Sequence, residues 1–568
     1  MPAARREAGD HPLLILALLF VLAAQMVLAS RLESPVFDEP AHIGAGFSYL
    51  ETGEFKVNLQ HPPLLKEIGA LPLVLIGARW PMSAEEWASL GPRPSVFFQW
   101  QLGQNVIFSN DPDRVMFWSR LPFIALTVML GALLVAWGRK MLGGTAAVGA
   151  LVLFALDPSI VAHGPLVTTD VGFAAFAVLF LFALWSYLEH RSVKRLAGCG
   201  VALGAALATK FSALILLPLL GLLALWATRW IPAAVPRRPS TLADPYASED
   251  GGARIVWSVY AVLAMLAVAA IVINALYFFP RNPFLPLYWD GMKRVNADHD
   301  PSYWPYMAGE FRPRFWTYYF VTYLLKEPVA GLILTGLGLF AILRRGAATT
   351  MDRAFILLPP ALLFLSYTVL SHDLGFRYVI PALPFLHLAG GAGLAWLLKE
   401  RGAWGKACAA ALCAWLVAAA AGIYPDHLPY FNELACALQE PARIGRDGGT
   451  ACGPLWLDDS NVDWGQGIKQ LKGWVERNAP GETVQIAYFG SVRPELYGLS
   501  YERLSMDELM RPPAAGLYVV SAHFLARGIG ELAKRYGDGP GNWLLRTRPS
   551  AVVAHAYYVY DARGAPAR

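Results

Sequence analysis

Long apolar runs alternate with short polar joints over the first three quarters of the chain. Runs at residues 13–30, 115–137, 142–156, 171–188, 196–208, 211–228, 255–278, 329–343, 354–370, 378–398 and 406–424 predict about eleven helices, most of them long enough to span a bilayer. The short pair flanking Lys210 is also compatible with one bent or broken hairpin. From about residue 425 the pattern changes. Segments shorten, charge rises, and residues 484–489, 516–521 and 551–560 predict strands, while 468–477 and 527–536 predict helices. The expected fold class is therefore mainly α: a polytopic transmembrane bundle, residues 1–424, followed by a small α/β domain, residues 425–568.

Composition agrees with a membrane protein. Of 568 residues 56% are hydrophobic and 16% charged, against roughly 25% charged in ordinary soluble domains. The net charge of +5 is modest and its basic residues sit in short joints, which argues topology and gives no case for nucleic acid. Placing Arg5 and Arg6 inside puts the basic joints at residues 139–140, 191–195, 229–238, 344–353 and 399–406 on the same side. The joints at 157–169 and 371–375 carry no Lys or Arg and fall outside, as do the first long loop and the tail. The expected location is the inner (plasma) membrane, multi-pass, with site and tail extracytoplasmic. Residues 231–252 form a Pro-rich linker on the inner side. Cys436 and Cys452 can form a disulfide if the tail is extracytoplasmic.

The outer joints hold the candidate chemistry. In SPVFDEPAHIGAGFSYLETGEF, Asp38 and Glu39 precede Pro40 at a helix start, and Gly53 is placed to stop that helix. Asp38 and His42 share a helix face. His61 and Lys66 follow in QHPPLLK, and residues 64–76 suit a helix lying at the interface. DPSIVAHGPLVTTD brings Asp157, His163 and Asp170; SHDLGFRYVIPALP brings His372, Asp373, Arg377 and Tyr378. Lys210 and Lys326 are further cations beside apolar runs. Plainer roles exist for each: Asp38 or Asp170 as helix caps, His163 as a structural residue, Arg377 and Lys326 as snorkelling cations, SNVDWGQ (460–466) as a turn and helix start. No Cys-x-x-Cys or His-x-x-x-His spacing occurs, so no metal ligands are assigned and no cofactor is required, though the sequence leaves a divalent ion open.

FDEPAHI, QHPPLLKEIGALPL, DPSIVAHGPLVTTDVGF, YYFVTYLLKEPVAGLIL and FRYVIPALPFL, in this order, resemble the GT-C superfamily of membrane glycosyltransferases, near the protein O-mannosyltransferase and aminoarabinose-transferase branch (glycosyltransferase family 39-like). The resemblance covers roughly residues 13–424, and the tail motif LDDSNVDWGQGIKQLKGW is similar to the tails of bacterial members. It implies a polyprenyl-phosphate-linked sugar as donor, a lipid, glycan or protein acceptor on the outer face, and membrane lipids as surroundings. It also implies that Asp38 is the base and that Glu39 assists binding. The aminoarabinose branch has Lys-Pro-Pro where His61, Pro62 and Pro63 stand here. No insert the size of the eukaryotic members' β-trefoil lies between the predicted helices. A sugar phosphodiester carries its own leaving group, so the chemistry needs one base and cations for the departing phosphate. Asp38 is placed for the first; Arg377, Lys66, Lys210 and Lys326 for the second; His42, His61, Asp170 and Tyr378 complete the expected binding set. A single displacement would invert the anomeric centre. A transporter or flippase for a lipid-linked or small polar substrate is the competing expectation.

Overall fold

A computed structural model describes residues 11–230, 251–297, 302–344 and 348–563. Arg5, Arg6 and nearly all of the Pro-rich linker lie outside the described residues. Each of the eleven predicted apolar runs is helical. Seven helices among the described residues are long and apolar enough to cross a membrane: Pro12–Ser30, Pro112–Leu142, Asp170–Glu189, Arg254–Leu276, Thr350–Leu370, Phe376–Glu400 and Gly402–Ile423. Tyr318–Lys326 and Val329–Leu343 make an eighth span if taken together, broken by a bend of 114°. Pro328 lies in the break and removes a backbone donor where the helix turns. The chain also breaks at Lys210, between helix Val193–Leu207 and the 3₁₀ turn Phe211–Ile215.

Small residues let the central helices approach closely. A Cβ on Gly338 or Gly393 would collide with backbone of the facing helix, and one on Gly391 would meet Ala146. Lipid tails are as apolar as the side chains, so such packing is what draws transmembrane helices together. The helix Glu39–Thr52 is held the same way, with Gly44 against Gly103 of the helix Phe98–Phe108.

The first loop folds as its local signals predict. Glu39 opens the helix, Pro40 sits in its first turn, and Gly53 ends it at φ 71°. The expected interfacial helix is Leu64–Leu75, with Leu71, Val74 and Leu75 exposed along it. Beyond residue 279 the chain holds a helix, Pro286–Ala297, and a small hairpin, Tyr306–Met307 with Glu310–Phe311.

The tail carries a five-stranded sheet in the order Tyr501–Arg503, Val484–Ala487, Leu517–Ser521, Tyr557–Asp561, Ala551–Val553. The first three strands run parallel and the last two pair antiparallel. The single strand expected at 551–560 is two strands, because Ala554 and His555 turn the chain through positive φ. Tyr501–Arg503 is a strand that its charged residues concealed, lying at the sheet edge. The helix expected from 527 starts earlier, at Ala522, capped by the Ser521 hydroxyl.

The tail is keyed into the bundle. Ser34 bonds through its backbone and hydroxyl to Gly465, Gln466 and Ile468, and the Phe37 N–H donates to the Trp464 carbonyl. Cys436 and Cys452 form a disulfide that closes the segment following the last long helix. Replacing both by Ser should cost about 3 kcal/mol, as expected for a closed loop of this length. A thermal melt of the double variant in detergent reads this directly, and an unchanged melt would show that the bond contributes nothing.

Candidate functional site

Asp38 stands just ahead of its helix but makes no side-chain cap bond. Its Oδ2 instead accepts from Arg377 Nη1 at 2.7 Å, a pair joining positions 339 residues apart. The capping alternative for Asp38 is thereby removed. Its side chain is 27% exposed, so the carboxylate still faces open space. Burial raises its pKa above that of an ordinary Asp, although the Arg377 charge pulls the other way. Arg377 is delivered by Gly375, whose φ of 102° suits only glycine and whose missing Cβ leaves room for the Ser460 hydroxyl. The guanidinium also lies over Trp464, 4.6 Å from its ring centre.

A second ion pair stands beside the first. Lys210 Nζ bonds Asp170 Oδ1 at 2.7 Å and lies 4.2 Å from the Tyr378 ring centre. Asp170 is the first residue of its helix, but Thr169 holds the cap position. The residues Lys210 and Tyr378, with His61 and Gln60, close the polar end of a groove of about 450 Å³. Leu214, Ile215, Pro218, Met292 and Leu370 line its apolar part. A polar cavity of about 480 Å³, lined by Lys56, Asn58, Arg93 and Asp290 among others, shares Gln60 with it.

His42 and His61 face each other with ring centres 5.1 Å apart. Burial, reinforced by the charge of Lys66, pushes the His42 imidazole down to about 3, and burial lowers His61 as well, so both rings are neutral near pH 7. His61 thus supplies no fixed charge where the related branch has Lys.

Three expected roles are corrected. Glu39 is fully buried; its carboxylate takes two bonds from Arg120, at 2.8 and 2.6 Å, and the backbone N–H groups of Val36 and Val167. No lone pair is left for a substrate, so Glu39 positions the loop and does not belong to the catalytic set. Lys66 is enclosed by oxygens of Tyr49, Asn58 and His61 and is 1% exposed. Lys326 donates to the carbonyls of Leu428 and Asn461, at 2.7 Å each. Both bind the protein's own backbone where a phosphate had been expected.

The tail segment set aside as a possible turn forms one wall of the site. Asn461 accepts from the Phe376 N–H and donates to the Tyr318 hydroxyl, and Ser460 bonds the Leu374 carbonyl. Trp464 supplies the ring under Arg377. Arg120 was also missed, though a charge inside a long apolar helix is itself a signal.

Residues 104–242 match a family model described as dolichyl-phosphate-mannose-protein mannosyltransferase. This agrees with the resemblance carried by the sequence motifs. The match spans about a quarter of the chain, taking in Arg120, Asp170 and Lys210 but stopping short of Asp38 and Arg377. No curated protein matches. Among solved structures, ArnT from Cupriavidus metallidurans bound to undecaprenyl phosphate is similar at 13% identity and TM-score 0.47, over 98% of this chain and 99% of that one. The S. cerevisiae protein O-mannosyltransferase Pmt1-Pmt2 complex bound to its sugar donor is similar at 18% identity and TM-score 0.33, over 49% of this chain and 34% of that one. The archaeal oligosaccharyltransferase AglB from Archaeoglobus fulgidus, in complex with an inhibitory peptide and a dolichol-phosphate, gives 12% and 0.43, over 92% and 72%.

The two acids of the first loop should separate cleanly on mutation. Glu39→Gln strands the buried Arg120 and should destabilise the fold by about 3–5 kcal/mol. Asp38→Asn should cost less stability, since both members of the Asp38–Arg377 pair are partly exposed and the amide oxygen can still accept from the guanidinium, and it should lower single-turnover sugar transfer by about a hundredfold or more if Asp38 is a base. Equal melting of the two variants would reverse the assignment.

Proposed function

We propose that this protein is an integral-membrane glycosyltransferase that moves a sugar from a polyprenyl-phosphate donor to an acceptor on the outer face. The observation that carries the reading is the groove whose apolar length ends at Lys210 and Tyr378, with the Asp38–Arg377 pair alongside. An isoprenoid tail suits the apolar part. A phosphate at the polar end suits Lys210 and Arg377, the second offering planar, two-point contact. The match over residues 104–242 to a family that is described by a lipid-phosphate sugar donor supports the same chemistry.

In the reaction, an acceptor hydroxyl oxygen attacks the anomeric carbon while the bond from that carbon to the phosphate oxygen breaks. The leaving polyprenyl phosphate keeps the bonding electron pair and gains negative charge, which Lys210 and Arg377 stabilise. The acceptor proton passes to Asp38, whose raised pKa makes it a stronger base than an ordinary carboxylate. One displacement inverts the sugar. Asp170 holds Lys210 in place, and neutral His61 lines the polar end with the neutral ring of His42 packed behind it, so neither adds a charge there.

Purified protein given a labelled sugar on polyprenyl phosphate should release polyprenyl phosphate in step with product formation. Movement of intact donor across the bilayer with no cleavage would favour a flippase instead.

The pH dependence has a fixed sign. Asp38 must be ionised to act, so activity falls as pH drops through its raised pKa. Arg377 lowers that pKa, hence Arg377→Gln should shift the acid limb of kcat/KM to higher pH, while Arg377→Lys should shift it less. An acid limb unmoved by Arg377→Gln would separate Asp38 from the rate.

The outer placement rests on the distribution of Lys and Arg, and on a disulfide of the kind that persists in oxidising compartments. In a background lacking Cys199, Cys408 and Cys413, Glu54→Cys and Glu476→Cys should react with an impermeant thiol reagent from outside, and Glu400→Cys only from inside. Labelling of Glu54→Cys from the cytoplasm alone would invert the orientation.

A further inference from the structure

Away from the groove, three side chains from distant parts of the chain converge. Asp157 lies at the corner between helices Gly144–Leu156 and Pro158–His163. Glu327 lies in the 114° break between Tyr318–Lys326 and Val329–Leu343, and His387 on helix Leu383–Glu400. They are 1%, 3% and 2% exposed. His387 Nε2 is 3.2 Å from Asp157 Oδ2 and 3.9 Å from Glu327 Oε2, and one ligand atom from each falls within 4.8 Å of the others.

The bonding around the trio is incomplete. Asp157 Oδ1 caps its helix through the N–H groups of Ser159 and Ile160, and Oδ2 has only the His387 imidazole, 3.2 Å away, as its partner. Glu327 Oε1 and His387 Nδ1 have no hydrogen-bond partner. The neighbouring cation, Lys326, spends its bonds on the carbonyls of Leu428 and Asn461. Two carboxylates side by side in a dry interior repel each other unless a positive charge is shared between them.

We propose that Asp157, Glu327 and His387 bind a first-row divalent metal ion of the zinc class. One imidazole nitrogen and two carboxylate oxygens form a donor set for zinc, whereas magnesium and calcium prefer oxygen alone. Two ligands bound tetrahedrally at zinc distances lie about 3.3 Å apart, close to the His387–Asp157 spacing. The ion braces the bent helix pair against the Asp157 corner. That bend is also where the tail is gripped, since Asn432 bonds the Leu324 and Glu327 carbonyls and Lys326 bonds Asn461. The ion therefore sets the register of the tail wall against the groove, apart from any step of sugar transfer.

The test uses full-length protein in nanodiscs, purified without a metal-affinity tag, exposed to zinc and then desalted. Elemental analysis should find about one zinc per chain, undisplaced by excess magnesium, with a melting temperature several degrees above that of chelator-stripped protein. Glu327→Gln and His387→Asn should each cut the retained zinc at least tenfold, with His372→Asn as an unaffected control. If those variants fail to fold, X-ray absorption of the zinc-loaded wild type decides, the expected shell being one imidazole with oxygens. Zinc-free wild type with an unmoved melt, zinc that persists in both variants, or a shell lacking imidazole would each overturn the proposal and leave the trio holding a proton.

Discussion

The site depends on one buried ion pair. Arg120, projecting from the apolar helix Pro112–Leu142, grips both oxygens of Glu39 and also the carbonyls of Ser30 and Ser34. Glu39 in turn accepts from the backbone of Val36 and of Val167. One bidentate contact thus fixes the end of the first span, the first loop and the second outer loop relative to one another. Asp38, its neighbour in sequence, points the other way and meets Arg377. The pair's merit is geometric, since a buried ion pair gives little net stability over an apolar replacement while its half-removal costs heavily.

On that frame the chain sets two further ion pairs, one with its cation at the end of an apolar groove and one beside it. Asp38–Arg377 and Asp170–Lys210 keep four largely buried charges paired. Both cations have donors beyond those their carboxylates use, which suits an arriving phosphate. The tail completes this arrangement from the other side. Trp464 and Asn461 hold Arg377 and the backbone before it, so residues distant in sequence from the bundle decide how its cation is aimed.

What was legible in the sequence follows the range of the signal. The apolar runs, the helix begun at Glu39 and Pro40, its stop at Gly53 and the helix after Pro63 are written in neighbouring residues, and each is present. The Asp38–Arg377 and Asp170–Lys210 residues were recognisable as candidates, but their pairing spans 339 and 40 positions and no local pattern encodes it. The roles of Glu39, Lys66 and Lys326 were misjudged because residue type does not tell whether a charge faces a substrate or the protein's own backbone. Arg120 and His387 were overlooked inside apolar helices, although a polar group there is the clearest available sign of a partner. SNVDWGQ reads locally as a turn, and only its contacts with Ser34, Lys326 and Phe376 reveal a wall.

The central claim is that the groove takes a polyprenyl chain by its tail and its phosphate by Lys210 and Arg377. Native mass spectrometry of the purified protein with a polyprenyl phosphate and with the matching neutral polyprenol tests it directly. The account predicts that the phosphate form binds at least about tenfold tighter, the worth of one charge-assisted contact, and that Lys210→Ala and Arg377→Ala each erase most of that preference. Equal binding of the phosphate and the alcohol by the wild type would contradict it.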